Sequence, residues 1–292
     1  MERICYFNIT YSCNNACVYC FSFSTGIERR NISIEDFKLI LETFNPTKKD
    51  KVIINGGEPT IHPSFYDMLA FINQNYSTNI VVYSNGVNID VEKIEGFQRI
   101  QFVIPIHGYS TTHDTITRHI GSFEKTVKNL QKLQEKNIKY SIKFIANKDL
   151  IDSEFNVFSF LKDYRLKPFS IVMARLNATK KSIENMVSSP SLMSIKNFIQ
   201  QSHKNLRHDY KIVYLDIPFC LLPVANVTEK IYQIPEFYFS DYKEKLKKCC
   251  YYKHLLLRKE KCQNCHYRKY CSLMETSYLT LVYDKSWNME LE

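Results

Sequence analysis

The sequence predicts an α/β protein in which buried parallel strands alternate with amphipathic helices. Six apolar runs rich in β-branched residues recur before about residue 175, and most are continuous rather than alternating. Continuous apolar runs are typical of strands covered on both faces of a parallel sheet. Helical patterns lie between these runs. An open doubly wound sheet and a partial barrel both fit this order of elements.

The strands are predicted at 3–9, 51–55, 79–84, 100–106, 139–145 and 168–173. Helices are predicted at 33–44, 62–74, 122–137 and 152–164. In the first helix, Ser33 and Asp36 form a start that resembles a capping box. Beyond residue 175 the alternation fades, and we expect a helix near 191–205 and a strand at 210–217. We therefore divide the chain into a core at 1–205 and a smaller domain at 206–292.

The composition is ordinary for a soluble globular protein, with 292 residues, 45% hydrophobic and 24% charged. No apolar run approaches the ~18 residues that span a bilayer, and the N-terminus does not resemble a secretory signal. We expect a cytoplasmic location, in which thiols stay reduced, with no membrane and no nucleic acid as a partner. Much of the net charge of +9 lies in 242–271, which is either a solvated surface or a docking patch for an acidic partner.

The ten cysteines are the most unusual feature of the composition. Three of them, Cys13, Cys17 and Cys20, follow the first strand with C-x3-C-x2-C spacing. Disulfides, metal ligation and simple burial compete as explanations, and reduced thiols favour a metal or redox cofactor. A zinc site commonly takes four ligands. Three thiolates on a four-iron cluster would leave one iron open to a substrate or cofactor.

Polar residues follow the C-terminal ends of the other predicted strands, where the working loops of such folds lie. "NGGEPT" at 55–60, "SNG" at 84–86 and "HGYSTTHDTITR" at 107–118 follow strands two, three and four. We expect these segments to meet the cysteine loop at one edge of the sheet. Here His107 is expected either to contact substrate or to pack within its loop.

Several of these motifs resemble the radical S-adenosylmethionine (radical SAM) superfamily. The three early cysteines, with Tyr19 before the last, resemble its C-x3-C-x-aromatic-C signature, and "GGEPT" resembles its second motif. "SNG" and "HD…R…GSF" across 113–123 are also similar to the family. The resemblance covers roughly 3–175. It implies a partial (β/α)6 TIM-like barrel that holds a [4Fe–4S] cluster and S-adenosylmethionine, with a flavodoxin- or ferredoxin-type electron donor.

The resemblance also implies roles for single residues. Gly56 and Gly57 would let the backbone approach the ligand, because a Cβ there would obstruct it. Glu58 would accept from the ammonium group of S-adenosylmethionine. Two further contacts are expected from Ser84 and Asn85 to the ribose. Arg118 would pair with the methionine carboxylate, and a surface ion pair is its equally open alternative.

The C-terminal cysteines resemble the auxiliary-cluster extensions, of SPASM or twitch type, found on many radical SAM enzymes. The segment "KCQNCHYRKYC" at 261–271 has C-x2-C-x5-C spacing, and six late cysteines instead of seven predict one auxiliary [4Fe–4S] cluster. The predicted ligands are Cys220, Cys262, Cys265 and Cys271, with Cys249 or Cys250 as alternates. A structural zinc is the alternative for this tail. Cys5 is expected to be a buried residue of the first strand.

The predicted function is that of a radical SAM oxidoreductase that matures a ribosomally made peptide, with the basic tail holding an acidic leader. Only twelve residues precede Cys13, so we expect no separate peptide-recognition domain before the barrel. A dehydrogenase or epimerase of a small molecule, of aminocyclitol or sugar type, is the enzymatic alternative. A non-catalytic iron–sulfur or zinc-binding interaction protein is the alternative of another class. No residue is assigned as a catalytic acid or base.

Overall fold

A computed structural model gives the fold of most of the chain. It describes residues 2–20, 30–176, 190–215, 236–240 and 246–249, together with positions 182, 185, 187, 217, 221 and 222. Among these residues, no helix combines the length and the apolar character that crossing a bilayer requires.

Nine strands form one sheet within the described residues. They are β1 (Arg3–Thr10), β2 (Lys51–Gly56), β3 (Asn79–Tyr83), β4 (Ile100–Ile106), β5 (Lys139–Ala146), β6 (Ser170–Arg175), β7 (Ile212–Leu215), β8 (Glu236–Ser240) and β9 (Lys247–Cys249). Their order is β7-β6-β5-β4-β3-β2-β1-β8-β9. All neighbouring strands are parallel except β8 and β9, which are antiparallel. The sheet is not closed, because β7 and β9 stand at its two ends.

The strand order distinguishes the two architectures that fit the sequence. A doubly wound sheet reverses its strand order at a switch point, and its helices cover both faces. Here β1 to β7 follow one another without reversal. Right-handed crossovers in such a series place the helices on one face, as in a (β/α) barrel. The structure therefore confirms the α/β class and the partial barrel.

The helices of the described residues lie mainly between successive strands. They are α1 (Ile34–Phe44), α2 (Phe65–Asn75), α3 (Ser110–Thr117), α4 (Ser122–Glu135), α5 (Lys148–Asp152), α6 (Val157–Asp163) and α7 (Leu192–Leu206). Between β3 and β4 the connection contains a 3₁₀ turn, Glu92–Ile94, in place of an α-helix. Ser33 caps α1 as expected, because its side chain accepts from the backbone N–H of Asp36 at 3.0 Å.

The two faces of the sheet differ in composition. One face packs against the helices and carries large buried side chains, such as Phe7, Phe102 and Phe144. Because successive side chains alternate along a strand, the neighbouring residues face the inside of the partial barrel. There Asn8 and Asn55 lie opposite each other on β1 and β2 and are only half-buried. The inner face therefore carries polar side chains where β1 and β2 lie side by side near their C-terminal ends.

The structure also departs from the predicted elements. The helix predicted at 152–164 is observed only as α6, which begins later because Asn156 caps its start. Helix α5, which Asn147 caps, lies before the predicted range apart from Asp152. Helix α3 and strands β8 and β9 are absent from the prediction. The predicted strand at 210–217 is confirmed as β7, and Cys5 is fully buried in β1 as expected. The division at 205/206 stays a prediction, although β7 and β8 extend the same sheet as β1 to β6.

Candidate functional site

The three early cysteines lie on the loop that follows β1. None of Cys13, Cys17 and Cys20 is in a disulfide, and each is partly exposed. The loop turns between the last two, where the backbone N–H of Cys20 donates to the carbonyl of Cys17 at 3.2 Å. Burial raises the pKa of the Cys13 thiol to about 11. Because a metal ligates the thiolate form, metal binding at this loop would release protons. We call residues 11–20 the cysteine loop.

The Gly-Gly-Glu turn after β2 packs directly against the cysteine loop. The backbone N–H groups of Gly57 and Glu58 donate to the carbonyls of Thr10 and Ser12 at 2.7 and 2.8 Å. A Cβ on Gly57 would stand 2.2 Å from the Ser12 carbonyl oxygen, well inside any real contact. The two glycines were expected to admit a ligand. In the structure, the group that would meet a Cβ on Gly57 is the cysteine loop itself.

Glu58 joins the loops after β2 and β3. It is fully buried, and its Oε1 accepts from the Thr60 hydroxyl at 2.7 Å and the Ser84 hydroxyl at 2.8 Å. Its Oε2 accepts from the backbone N–H of Asn85 at 2.6 Å. Burial raises the pKa of Glu58, and the hydrogen bonds from Asn85, Thr60 and Ser84 act in the opposite direction. These contacts fix the Ser-Asn turn relative to the Gly-Gly-Glu turn.

Ser84 and Asn85 both have partners within the protein. The Ser84 hydroxyl donates to Glu58 and accepts from the backbone N–H of Gly86 at 3.0 Å. The side-chain Nδ2 of Asn85 donates to Oδ1 of Asn14 at 2.6 Å and lies 3.9 Å from the Cys13 sulfur. The loop after β3 therefore reaches the first cysteine, as the sequence predicts.

The corner between α3 and α4 holds the opposite side of the cysteine loop. The backbone N–H groups of Ala16 and Val18 donate to the carbonyls of Thr117 and Ile116, each at 2.9 Å. Arg118 follows in a left-handed conformation with φ 52°. Its side chain is exposed, and its Nη2 donates to Asn185 Oδ1 at 2.7 Å. Arg118 thus lies beside the cysteine loop.

Asp114 and His113 make hydrogen bonds within the corner between α3 and α4. Its carboxylate accepts from the backbone N–H of Gly121 at 2.6 Å and of Phe123 at 2.9 Å. It therefore satisfies N–H groups at the start of α4. Nearby, the backbone N–H of His107 donates to Nδ1 of His113 at 3.3 Å. The His-Asp pair at 113–114 thus shapes the corner against which the cysteine loop packs.

Tyr19, which precedes the last cysteine, is a buried residue of the cysteine loop. Its hydroxyl lies 2.6 Å from Nδ1 of His107, which follows β4, and 3.4 Å from Nδ2 of Asn147, which follows β5. Burial raises the pKa of Tyr19 and lowers the pKa of His107. Both groups are therefore neutral. Because the Tyr19 hydroxyl already accepts from Asn147, we assign it as the donor to Nδ1 of His107. The sequence left two roles open for His107, substrate contact and packing within its loop. The buried contact with Tyr19 favours the packing role.

Asn15 and His119 form a second contact that the sequence did not indicate. Asn15 is 5% exposed, and its Oδ1 lies 2.7 Å from Nδ1 of His119. Its backbone N–H donates to the Cys13 sulfur at 3.4 Å. Its side-chain Nδ2 is buried and has no hydrogen-bond partner among the described residues. A buried donor without an acceptor is uncommon in a native protein.

Among the described residues, no three His, Cys, Asp or Glu side chains converge as ligands of a single metal ion would. A four-iron cluster binds each thiolate on a separate iron, so its cysteines stand further apart. The cysteine loop fits such a group, because three thiols outside disulfides and the unpartnered Asn15 Nδ2 belong to one short segment.

Comparison with known proteins identifies the family of this fold and site. A family described as the radical SAM superfamily matches residues 7–151. This part of the chain belongs to the radical SAM superfamily. Its cysteine loop and its Gly-Gly-Glu turn both fall inside the matched range. Members of the superfamily use a [4Fe–4S] cluster and S-adenosylmethionine.

Three curated relatives are similar to the radical SAM part of the chain. Fe-coproporphyrin III synthase of Methanosarcina barkeri is 25% identical over 54% of this chain and 41% of its own length. The sporulation killing factor maturation protein SkfB of Bacillus subtilis is 25% identical over 52% of this chain and 38% of its own length. Mycofactocin maturase MftC of Mycobacterium tuberculosis is 29% identical over 43% and 32%. The chain thus spans about two fifths or less of the length of these relatives.

Solved radical SAM structures share the fold. Streptococcus suis SuiB bound to S-adenosylmethionine matches 99% of this chain and 78% of its own, with a TM-score of 0.71 and 13% identity. The structure of anSMEcpe with bound AdoMet matches 98% of this chain and 92% of its own, with a TM-score of 0.68 and 12% identity.

The predicted auxiliary-cluster ligands lie largely outside the described residues. These are Cys220, Cys250, Cys262, Cys265 and Cys271. The backbone of Cys249 ends β9, but its side chain is not described. The tail cluster and its zinc alternative therefore stay predictions.

Proposed function

We propose that this chain is a radical SAM enzyme that acts on a ribosomally made peptide. The observation that carries the proposal is the meeting of the segments after β2, β3 and β4 around one cysteine loop, in a chain whose residues 7–151 belong to the superfamily. Two curated relatives are named as a maturation protein and a maturase, and SuiB has been solved bound to the precursor peptide SuiA. These names support a peptide as the substrate class.

In this proposal the thiolates of Cys13, Cys17 and Cys20 hold the [4Fe–4S] cluster. A [4Fe–4S] cluster held there would supply the electron for reductive cleavage of S-adenosylmethionine to methionine and a 5′-deoxyadenosyl radical, and this radical would remove hydrogen from the substrate. A flavodoxin- or ferredoxin-type protein of the cytoplasm delivers that electron. The chain itself binds and orients the cofactor.

The contacts within the site limit how each residue can bind S-adenosylmethionine. Glu58 is fully buried and accepts protein hydrogen bonds at both carboxylate oxygens, so the proposed bond from the ammonium group to Oε2, which accepts only one of them, requires the turn around Glu58 to open. A guanidinium has five N–H donors, so Arg118 can bind the methionine carboxylate while it donates to Asn185. Asn85, with Ser84 beside it, is proposed to contact the ribose.

The tail completes the proposal. One auxiliary [4Fe–4S] cluster is bound by Cys220, Cys262, Cys265 and Cys271, with Cys249 or Cys250 as alternates, in a domain formed by 206–292. The basic residues of 242–271 bind an acidic leader segment of the peptide.

Anaerobic reconstitution tests the proposed chemistry. The loaded protein is incubated with S-adenosylmethionine and dithionite, and 5′-deoxyadenosine is measured by mass spectrometry. We expect wild type to form it and Cys17→Ala to form none. Cys5→Ala is the matched control, because Cys5 is buried in β1 away from the loop and should keep the activity. Activity in Cys17→Ala, or none in fully loaded wild type, would overturn the proposal.

The substrate class needs a separate measurement. A short precursor peptide encoded beside the gene is added to the loaded protein, and its mass is followed. A loss of hydrogen that requires S-adenosylmethionine supports peptide maturation. Iron content of about eight per chain supports two four-iron clusters, whereas about four with zinc supports a structural zinc in the tail.

A further inference from the structure

We infer that Asn15 donates a hydrogen bond from Nδ2 to an anionic acceptor of the loaded site, which is either a cluster sulfur or the methionine carboxylate. The inference rests on the proposed function, because both acceptors arrive with the cofactors. Asn15 is one of the residues between Cys13 and Cys17, and its side chain is 5% exposed. It is a positioning residue of this site.

The first argument is the unpartnered donor. Leaving a buried N–H without an acceptor is destabilising, so native proteins rarely keep one. Within the described residues, Nδ2 of Asn15 has no hydrogen-bond partner. An acceptor that enters with the cofactor removes this cost. The amide would then contribute to cofactor binding by a bond that the metal-free chain does not make.

The second argument is the orientation of the amide. His119 Nδ1 lies 2.7 Å from Oδ1 of Asn15, so the imidazole N–H holds the oxygen and directs Nδ2 to the other side. The backbone N–H of the same residue donates to the Cys13 sulfur at 3.4 Å. The unpartnered side-chain Nδ2 therefore belongs to a residue whose backbone N–H already contacts a proposed thiol ligand.

The third argument is that both proposed anion sites are close to Asn15. Its backbone N–H donates to Cys13, a proposed cluster ligand, and His119, which holds its side-chain oxygen, follows Arg118 in the chain, the proposed partner of the methionine carboxylate. Hydrogen bonds to cluster sulfurs stabilise the reduced, more negative cluster and raise its reduction potential. A bond to the carboxylate would instead strengthen binding of S-adenosylmethionine.

Two measurements on reconstituted protein distinguish these acceptors. The first is the midpoint potential of the N-terminal cluster without S-adenosylmethionine, from a titration followed by electron paramagnetic resonance. The second is the dissociation constant of S-adenosylmethionine. Both are measured for wild type, Asn15→Leu and Asn15→Asp. The Asp variant keeps the oxygen that faces His119 but replaces the donor by an anionic oxygen.

For a sulfur acceptor, we expect the potential of Asn15→Leu to fall below that of wild type, and that of Asn15→Asp to fall further. For a carboxylate acceptor, we expect unchanged potentials and a dissociation constant raised about tenfold or more, as the loss of a hydrogen bond to a charged group predicts. His119→Phe should give a smaller change in the same direction, because Nδ2 remains but loses its orientation.

Asn156→Leu is the matched control, since Asn156 caps α6 in the helical layer and should alter neither quantity. If Asn15→Leu fails to load its cluster, the Asp and His119 variants carry the test. Loaded Asn15 variants that match wild type in both potential and affinity would overturn the inference. Failure of the proposed function is a different result, in which wild type itself binds no cluster or no S-adenosylmethionine.

Discussion

Replacing Tyr19 by Phe should weaken the attachment of the cysteine loop to the barrel. The change removes only a hydroxyl that lies 2.6 Å from Nδ1 of His107, in a site where Tyr19 is 6% and His107 3% exposed. Nδ1 then becomes a buried acceptor without a donor. Nδ2 of Asn147 keeps its bond to the carbonyl of Ile145 at 3.0 Å. The expected loss is therefore that of one unsatisfied buried group, about 1–3 kcal/mol.

Two assays measure this loss. Urea unfolding of the metal-free chain gives the change in the free energy of unfolding, and the rate of iron release to a chelator reports on the loaded loop. We expect Tyr19→Phe to lower the first by about 2 kcal/mol and to accelerate the second. Tyr66→Phe is a matched control, because its hydroxyl accepts from Asp90 N–H at 2.7 Å on the outer layer. Tyr66→Phe should lower the free energy of unfolding, but it should accelerate iron release no more than that loss of stability explains.

A double replacement makes the reasoning sharper. In Tyr19→Phe with His107→Leu, both polar partners are gone, so no buried acceptor is left unpaired. We expect the double variant to be more stable than the sum of the two single losses predicts. Additive losses, or a Tyr19→Phe variant within about 0.5 kcal/mol of wild type, would refute the assigned hydrogen bond.

Three further predictions concern the same edge and the base of the barrel. Gly57→Ala should prevent stable cluster loading, because its Cβ would stand 2.2 Å from the Ser12 carbonyl, whereas Gly96→Ala, with open space around it, should load normally. Wild type should lose stability as the pH falls from 7 towards 4. Burial lowers the pKa of His107, and that of His113 to about 4, so only the unfolded chain takes up these protons. In His113→Gln, urea unfolding should show a smaller pH dependence than in wild type. Burial alone would raise the pKa of Asp50, but hydrogen bonds led by that from Arg3 hold it at about 2. Asp50→Asn should therefore lose on the order of 2 kcal/mol at pH 7, and the difference from wild type should shrink as the pH falls from 4 to 2.

The strands and most helices could be predicted because their sequences carry a strong local signal. Most of the strands β1 to β6 are near-continuous apolar runs, since helices cover one face and the barrel interior the other. Helix α3 gave no such signal, because "STTHDTIT" is polar and poor in strong helix formers. Its geometry depends instead on the Asp114 carboxylate, which holds the following turn.

The site was predictable only at the level of segments. Parallel strands end at the same edge, so the loops after β1 to β4 had to meet. The individual partners could not be found, because Tyr19 contacts residues 88 and 128 positions away, and Asn15 a residue 104 positions away. The aromatic residue before the last cysteine was a visible signal for Tyr19. No comparable signal marked Asn147 or His119.

These long-range partners imply that the barrel, more than the cysteine loop itself, sets the positions of the three thiols. The described loop is held from outside by the Gly-Gly-Glu turn, by Asn85, by the α3–α4 corner and by His107. These contacts come from the ends of β2, β3 and β4, which one continuous sheet fixes relative to one another. Contacts of this kind, which need no metal, should reduce the ordering entropy that opposes cluster binding. For the same reason, a change at any one of these strand ends should disturb the thiols even when no cysteine is altered.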